Sequence, residues 1–213
     1  MRKVIFLAAV MATGQLAAQE WGPARESLEQ FSQGLETLHA SFTQTITGQD
    51  GRLESEGHGE VWLARPALFH WVYEGEFPEL IVADGERIWL YDEMLEQVTV
   101  KPQSEMLDDS PLMLLTDLST LDERFTAREA GEFEDMHLLE LVSIGQDAEF
   151  DRVLLGLTDM GIRLMTMEDA FGLRTEIRFD QVVRNPVPDA GLFTFVPPEN
   201  VDVVGEVEAD VVQ

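Results

Sequence analysis

Apolar residues first recur at intervals of three and four. Leu28, Phe31, Leu35 and Leu38 form a single stripe, which predicts a helix over 24–38, mildly interrupted by Gly34. From His39 the period falls to two. Phe42, Gln44 and Ile46 share one side of a predicted strand, Ser41, Thr43 and Thr45 the other, and Gln49-Asp50-Gly51 supplies a turn. Leu53, Val61 and Leu63 then alternate with Glu54, Glu56, His58 and Glu60, while the interior Gly57 and Gly59 predict a bend or bulge. After a break at Arg65-Pro66, alternation continues over 67–73, 80–83, 87–91 and 95–100, with Asp84-Gly85 as a hairpin signal. These cues describe an antiparallel meander.

The alternation stops at Pro102, and residues 102–122 read as short helices, with Pro111 at a first helical position behind a Ser110 cap. It resumes over 125–128, 137–142, 152–157, 162–168 and 173–183, separated by Gly131, Gly145-Gln146-Asp147, Asp159-Met160-Gly161 and Gly172. A loop over 185–188 and a last strand over 192–196 follow, and the aromatic-free end from Val203 reads as a frayed tail. No fixed-period repeat is present.

With 213 residues and 45% hydrophobic content, the chain suits one buried core. Met1-Arg2-Lys3, the apolar run 4–12 and Ala17-Ala18 have the order of a secretory signal peptide, too short in its apolar part to span a bilayer. One domain over 19–204 is therefore expected, behind a signal peptide over 1–18 and ahead of an acidic tail over 205–213. Cysteine is absent, which excludes disulfides, thiol chemistry and acylation of a mature N-terminal cysteine. The formal charge is −27, and loss of Arg2 and Lys3 with the leader makes it two units more negative, −29. Such a field repels nucleic acid and anionic membranes. It suits either a salt-exposed compartment or a basic partner.

Candidate chemistry is sparse. His39, His58, His70 and His137 lack metal-ligand spacing, so no metal and no cofactor are expected. G-x-S-x-G, P-loop and dinucleotide fingerprints are absent, and with 41 carboxylates any acid-base spacing arises by chance, so the chain is not expected to be an enzyme. The aromatics Trp62, Phe69, Trp71, Tyr73, Trp89 and Tyr91 fit a sealed sheet core. They equally fit the lining of an apolar cavity under a curved sheet. Arg65 reads as a surface cation at a strand end, and Leu112 to Leu115 as plain core.

Several segments together resemble the periplasmic lipoprotein carriers of the LolA family. His39-Ala40-Ser41-Phe42-Thr43-Gln44 is similar to that family's first strand, and GHGEVWLARPALFHW, residues 57–71, to its next two. VADGERIWLY (82–91) resembles its hairpin, SPLMLL (110–115) a lid helix, and FTFVPPENV (193–201) its closing motif. The resemblance runs in order from about residue 28 to 204, with Asn200 in place of a glycine; both tolerate a left-handed backbone.

The resemblance implies a mainly β (α+β) fold: a single open antiparallel half-barrel of roughly 11 strands, with a lid of short helices over its concave apolar face. It implies an apolar cavity lined by Phe31, Leu35, Trp62, Phe69, Trp71 and Trp89, and a lid formed by Pro111, Leu112, Met113, Leu114 and Leu115. Arg65 corresponds to an arginine that latches the lid of the empty cavity, a role that suits its fork of five donors. The expected protein is a monomeric, soluble periplasmic chaperone for triacylated or diacylated lipoproteins. It would take them from an inner-membrane lipoprotein-releasing ABC transporter to an outer-membrane lipoprotein receptor. A lipoprotein- or lipid-sensing interaction module of the same half-barrel type is the alternative.

Overall fold

In the computed structural model, residues 22–104, 121–145 and 150–205 are described. The alternating segments become twelve strands of one open sheet. They are β1 (Thr37–Thr47), β2 (Leu53–Ala64), β3 (Leu68–Glu74), β4 (Glu79–Ala83), β5 (Arg87–Asp92), β6 (Gln97–Pro102), β7 (Phe125–Phe133), β8 (Met136–Ser143), β9 (Phe150–Thr158), β10 (Gly161–Asp169), β11 (Arg174–Arg184) and β12 (Asp202–Gly205). Their order across the sheet is β12-β6-β5-β4-β3-β2-β1-β11-β10-β9-β8-β7. All neighbours are antiparallel except β12, which pairs parallel with β6. Two helices are described, α1 (Pro23–Ser32) and α2 (Leu121–Arg124).

One apolar face runs through almost the whole sheet. Phe42, Val61, Leu63, Phe69, Trp71 and Ile88 from one half join Leu139, Leu141, Leu155, Met165 and Phe179 from the other in a single buried cluster. Ala24, Leu28 and Phe31 of α1 complete it. Glu129 in β7 and Arg65 after β2 contact opposite ends of this helix. Strands lie about 4.8 Å apart, so a flat sheet would hold β7 and β2 about 29 Å apart. A helix of ten residues is only about 15 Å long. Both contacts require the sheet to curl, with the apolar cluster on its inner side and α1 across it.

Four local expectations change. Helix α1 ends at Ser32, because Gly34 adopts φ +66, a left-handed conformation that turns the chain into β1. Leu35 and Leu38 stay buried in the same cluster, but from the turn and the strand. Gly57 and Gly59 produce no bulge: β2 pairs in unbroken register with β1 and β3 there, and the irregularity lies at Ile46/Thr47. What Gly59 supplies is room, since a Cβ on it would lie 1.8 Å from the Val72 carbonyl oxygen.

The expected strand over 192–196 is irregular, and the last strand is β12, which takes Val203 and Val204 out of the predicted frayed tail. Pro197 and Pro198 lack the N–H groups a ladder needs. Phe195 instead packs on Trp89 and Tyr91, and Asn200 turns the chain at φ +69. The signal-peptide segment, the residues beyond Gly205 and the predicted lid over 110–115 lie outside the described residues.

Candidate functional site

Strand parity decides which predicted residues meet. On β3, Phe69, Trp71 and Tyr73 point to the inner face, and their partners Leu63, Val61 and Gly59 on β2 do the same. Phe42 of β1 packs against Trp71 at 4.3 Å between ring centroids and edge-on to Tyr73 at 5.2 Å, while Phe179 of β11 meets Trp71 edge-on at 6.5 Å. With Phe31 of α1 and Leu35 of the turn that follows it, these rings form one aromatic and aliphatic cluster. Four of the six predicted lining residues, Phe31, Leu35, Phe69 and Trp71, are thus gathered on the inner side.

Trp62 and Trp89 are not. Each is one residue out of phase with an inner position, Val61 or Leu63 on β2 and Ile88 or Leu90 on β5, so the pleat sends it to the convex side. Trp62 stacks on His39 at 4.3 Å. Trp89 lies in a separate outer cluster with Val82, Val98 and Val100, roofed by Phe195 and Val201, and donates from Nε1 to Asp84 Oδ2 at 2.8 Å. Their assignment to a cavity is corrected accordingly.

Helix α1 is pinned at both ends. At its N-terminus the Glu129 carboxylate accepts the backbone N–H groups of Ala24 and Arg25 at 3.1 and 3.0 Å, capping a helix whose own cap residue, Gly22, has no side chain. Arg25, buried against the cluster, forks onto Asp122 of α2 with two bonds of 2.8 Å and reaches Glu29 at 3.1 Å. Burial opposes its charge, but the two carboxylates outweigh that and hold its pKa above the ordinary value. At the C-terminus Arg65 donates to the Ser32 carbonyl at 3.2 Å, Arg184 to that of Gln33 at 2.7 Å and Asn185 to that of Gly34 at 2.9 Å. Two cations therefore face the negative end of the helix dipole, and Arg184 also lies over the Phe31 ring. The expected contact of Arg65 with residues 111–115 falls outside the described residues.

Sequence reading missed this pinning set of Arg25, Asp122, Glu129, Arg184 and Asn185. Pro23 behind a glycine was the available signal for where the helix starts. Its partners lie about 100 to 150 residues away along the chain, beyond any periodicity argument.

Toward the other end of the strands the inner face turns polar. Phe42, Val61, Trp71 and Ile81 give way along their strands to Gln44, Gly57, Tyr73 and Glu79. These border an open cleft of about 490 Å³ with Ser55, Glu56, His58, Glu74 and Phe77. Tyr73 donates to Gln44 Oε1 at 3.0 Å. Burial, and then the charge of Glu79, raise the phenol's pKa; burial, and then Asp92, raise that of Glu79. The strand ends and turns at this rim expose Leu53, Phe77, Met94, Leu95, Ile144 and Phe171. Among the described residues no helix is long and apolar enough to cross a membrane, and no group of three or more His, Asp or Glu side chains is placed to hold a metal.

Comparison with known proteins agrees with this architecture. The family described as outer membrane lipoprotein carrier protein LolA matches residues 33–196. An outer-membrane lipoprotein carrier protein of Dechloromonas aromatica is 37% identical over 183 residues, 86% of this chain and 88% of that one. Its counterpart in Xanthomonas campestris pv. campestris is 38% identical over 202 residues, 94% of this chain and 97% of that one. Among solved structures, an uncharacterized conserved protein from Thermus thermophilus superposes with a TM-score of 0.52 at 18% identity, covering 86% of this chain and 99% of the other, a likeness of fold alone.

Proposed function

The chain belongs to the LolA family of outer membrane lipoprotein carrier proteins, and from that membership we propose that it is a periplasmic chaperone holding the acyl chains of lipoproteins between the inner face of its half-barrel and the helices that cover it. Delivery runs from an inner-membrane ABC transporter to an outer-membrane receptor, the protein acting as a monomer and without a catalytic step. The observation that carries the reading is the continuous apolar inner face under a helix fastened at its ends by polar contacts. Hydrogen bonds at the ends of α1 are replaceable by water. Its apolar underside is served as well by hydrocarbon as by the sheet.

Lipid chains are the ligand for which this arrangement makes energetic sense. Each buried methylene contributes about 0.8 kcal/mol, so one acyl chain holds a protein on a membrane marginally and several hold it firmly. A soluble carrier must offset that without binding irreversibly. A cover that costs free energy to lift lowers the net affinity by the same amount, which keeps release to a receptor downhill. Arg65, donating to the end of α1, is one of the groups that set this cost.

Incubating the purified protein with inner-membrane vesicles and the transporter, then weighing the soluble complex by native mass spectrometry, tests the reading. A stoichiometric acylated lipoprotein is expected. A carrier that leaves the vesicles empty-handed, or with only unacylated polypeptide, would overturn it. In the same assay Arg65→Leu is expected to load normally and to release more slowly to the receptor, because the closed empty state competes less well.

A further inference from the structure

One polar group on the inner wall is unaccounted for. Trp71 is 2% exposed, yet its indole Nε1–H finds no acceptor among the described residues. A buried donor left without a partner costs about 1–3 kcal/mol, so the position is unfavourable unless something else accepts the bond. A phenylalanine would fill a similar apolar volume without this cost. The other indole buried among the described residues, Trp89, is paired with Asp84 at 2.8 Å.

The location is specific. Trp71 sits in the last hydrocarbon-lined row of the inner face, paired with Val61 on one side and Ile81 on the other. The next inner row holds Gly59, Tyr73 and Glu79, with Gln44 bonded to the Tyr73 hydroxyl, and opens into the cleft of about 490 Å³. Tyr73, one inner row nearer the cleft, is the polar neighbour of the indole: Trp71 opposes the rise in the phenol's pKa, but the two are outside hydrogen-bond geometry. An acyl-bearing lipopeptide has the same sequence of polarity: hydrocarbon, then a carbonyl, then a polar glyceryl and peptide head.

Building on the carrier reading, we propose that Trp71 Nε1–H is a polar stop for the cargo, donating a hydrogen bond to an acyl carbonyl oxygen. The hydrocarbon lies along the Phe42–Trp71–Phe179 wall toward α1, and the glyceryl-cysteine head and following peptide leave through the cleft bordered by Gln44, Gly57, Tyr73 and Glu79. An acceptor is required and a donor is useless at this point, since the indole can only donate. Ester carbonyls of the glyceryl unit and the amide carbonyl of an N-acyl chain share this chemistry.

The test uses the mature protein and a synthetic triacylated lipopeptide carrying ¹³C in either the ester or the amide carbonyls. In the wild-type complex one of the two labels is expected to show an infrared stretch shifted to lower frequency, identifying the accepting carbonyl. That shift should vanish in Trp71→Phe. Trp71→Phe should also bind the lipopeptide about fivefold to tenfold more weakly. It should bind a hexadecyl-tailed fluorophore lacking any carbonyl as well as the wild type does.

Unshifted carbonyls of both kinds in the wild-type complex would overturn the polar stop while leaving the carrier reading intact. So would equal changes for both probes in Trp71→Phe. If the wild type retains neither lipopeptide nor fluorophore, the carrier reading fails and takes the stop with it. The infrared shift in the wild type stands even if the variant folds poorly.

Discussion

Replacing Arg25 by methionine isolates the N-terminal fastening of α1. Methionine keeps an apolar stem of similar length against the cluster while deleting the guanidinium, so packing is largely retained and the polar contacts are lost. Those contacts include the fork onto Asp122 at 2.8 Å twice and the bond to Glu29 at 3.1 Å. A fully buried pair broken on one side costs about 3–5 kcal/mol. Here the Asp122 and Glu29 side chains are 59% and 48% exposed, so both recover hydration when the arginine goes. That reduces the expected cost to about 1–2 kcal/mol.

For a chain of this size the melting temperature should fall by about 3–6 °C. Hydrogen exchange gives the sharper readout. If the fastening holds the cover and not the sheet, amides of α1 should exchange about tenfold faster while those of β1 to β4 keep their protection. Because a looser cover also costs less to lift, lipopeptide affinity should rise by a similar factor. Unchanged exchange in α1 would refute the fastening role. An equal loss of protection across the sheet would show that Arg25 supports the whole fold.

Gly59→Ala places a methyl 1.8 Å from the Val72 carbonyl oxygen, where backbone faces backbone and nothing can rotate away; a loss above about 3 kcal/mol is expected, read by urea denaturation. Asp84→Asn should cost about 1–2 kcal/mol, because a carboxamide has a single accepting oxygen, so in either flip its NH2 faces a donor, Trp89 Nε1 on one side or the Glu86 and Arg87 N–H groups on the other. Burial pushes the Asp84 carboxyl up, but those three donors and Arg87 outweigh it, so its pKa is depressed on folding. The stability it supplies is present above the ordinary aspartate value of 3.8 and is lost as pH falls through the folded pKa. Melting curves of Asp84→Asn and wild type should converge there. Glu79 has the opposite sign: with its folded pKa raised, its contribution is present below 4.5 and is lost as pH rises through the folded value. Glu79→Gln should therefore melt higher than the wild type at pH 7 and lose that advantage in acid.

Much of the fold was legible because its strands alternate. Phe42, Gln44 and Ile46 on one side and Ser41, Thr43 and Thr45 on the other correctly gave β1 its two faces, and the Asp84-Gly85 turn gave the β4-β5 hairpin. The helix boundary was less legible. Leu35 and Leu38 continue the helical spacing of Leu28 and Phe31 although they belong to a turn and a strand, since all four point into the same cluster. Periodicity reports which side of the core a residue faces; it took the left-handed Gly34 to say where the helix stops. The parallel strand β12 had no local signal, because its partner β6 lies about a hundred residues earlier.

The candidate site divides along the same line. Counting parity from Phe69 correctly places Trp71 and Tyr73 on the inner face, but aromatic content alone put Trp62 and Trp89 beside them. A sheet with one solvated face would not permit that confusion, since its outer positions would be polar. This sheet carries apolar residues on both faces between β4 and β6, because residues beyond 190 fold back and lay Phe195 and Val201 over the convex side. The back cover removes Trp89 from water without bringing it onto the inner face, where Trp71 is buried with no acceptor for its N–H among the described residues. Two tryptophans with nearly equal burial, 3% and 2%, thus differ in whether the fold pairs the indole N–H. The first has its acceptor within the fold, and the second has none among the described residues.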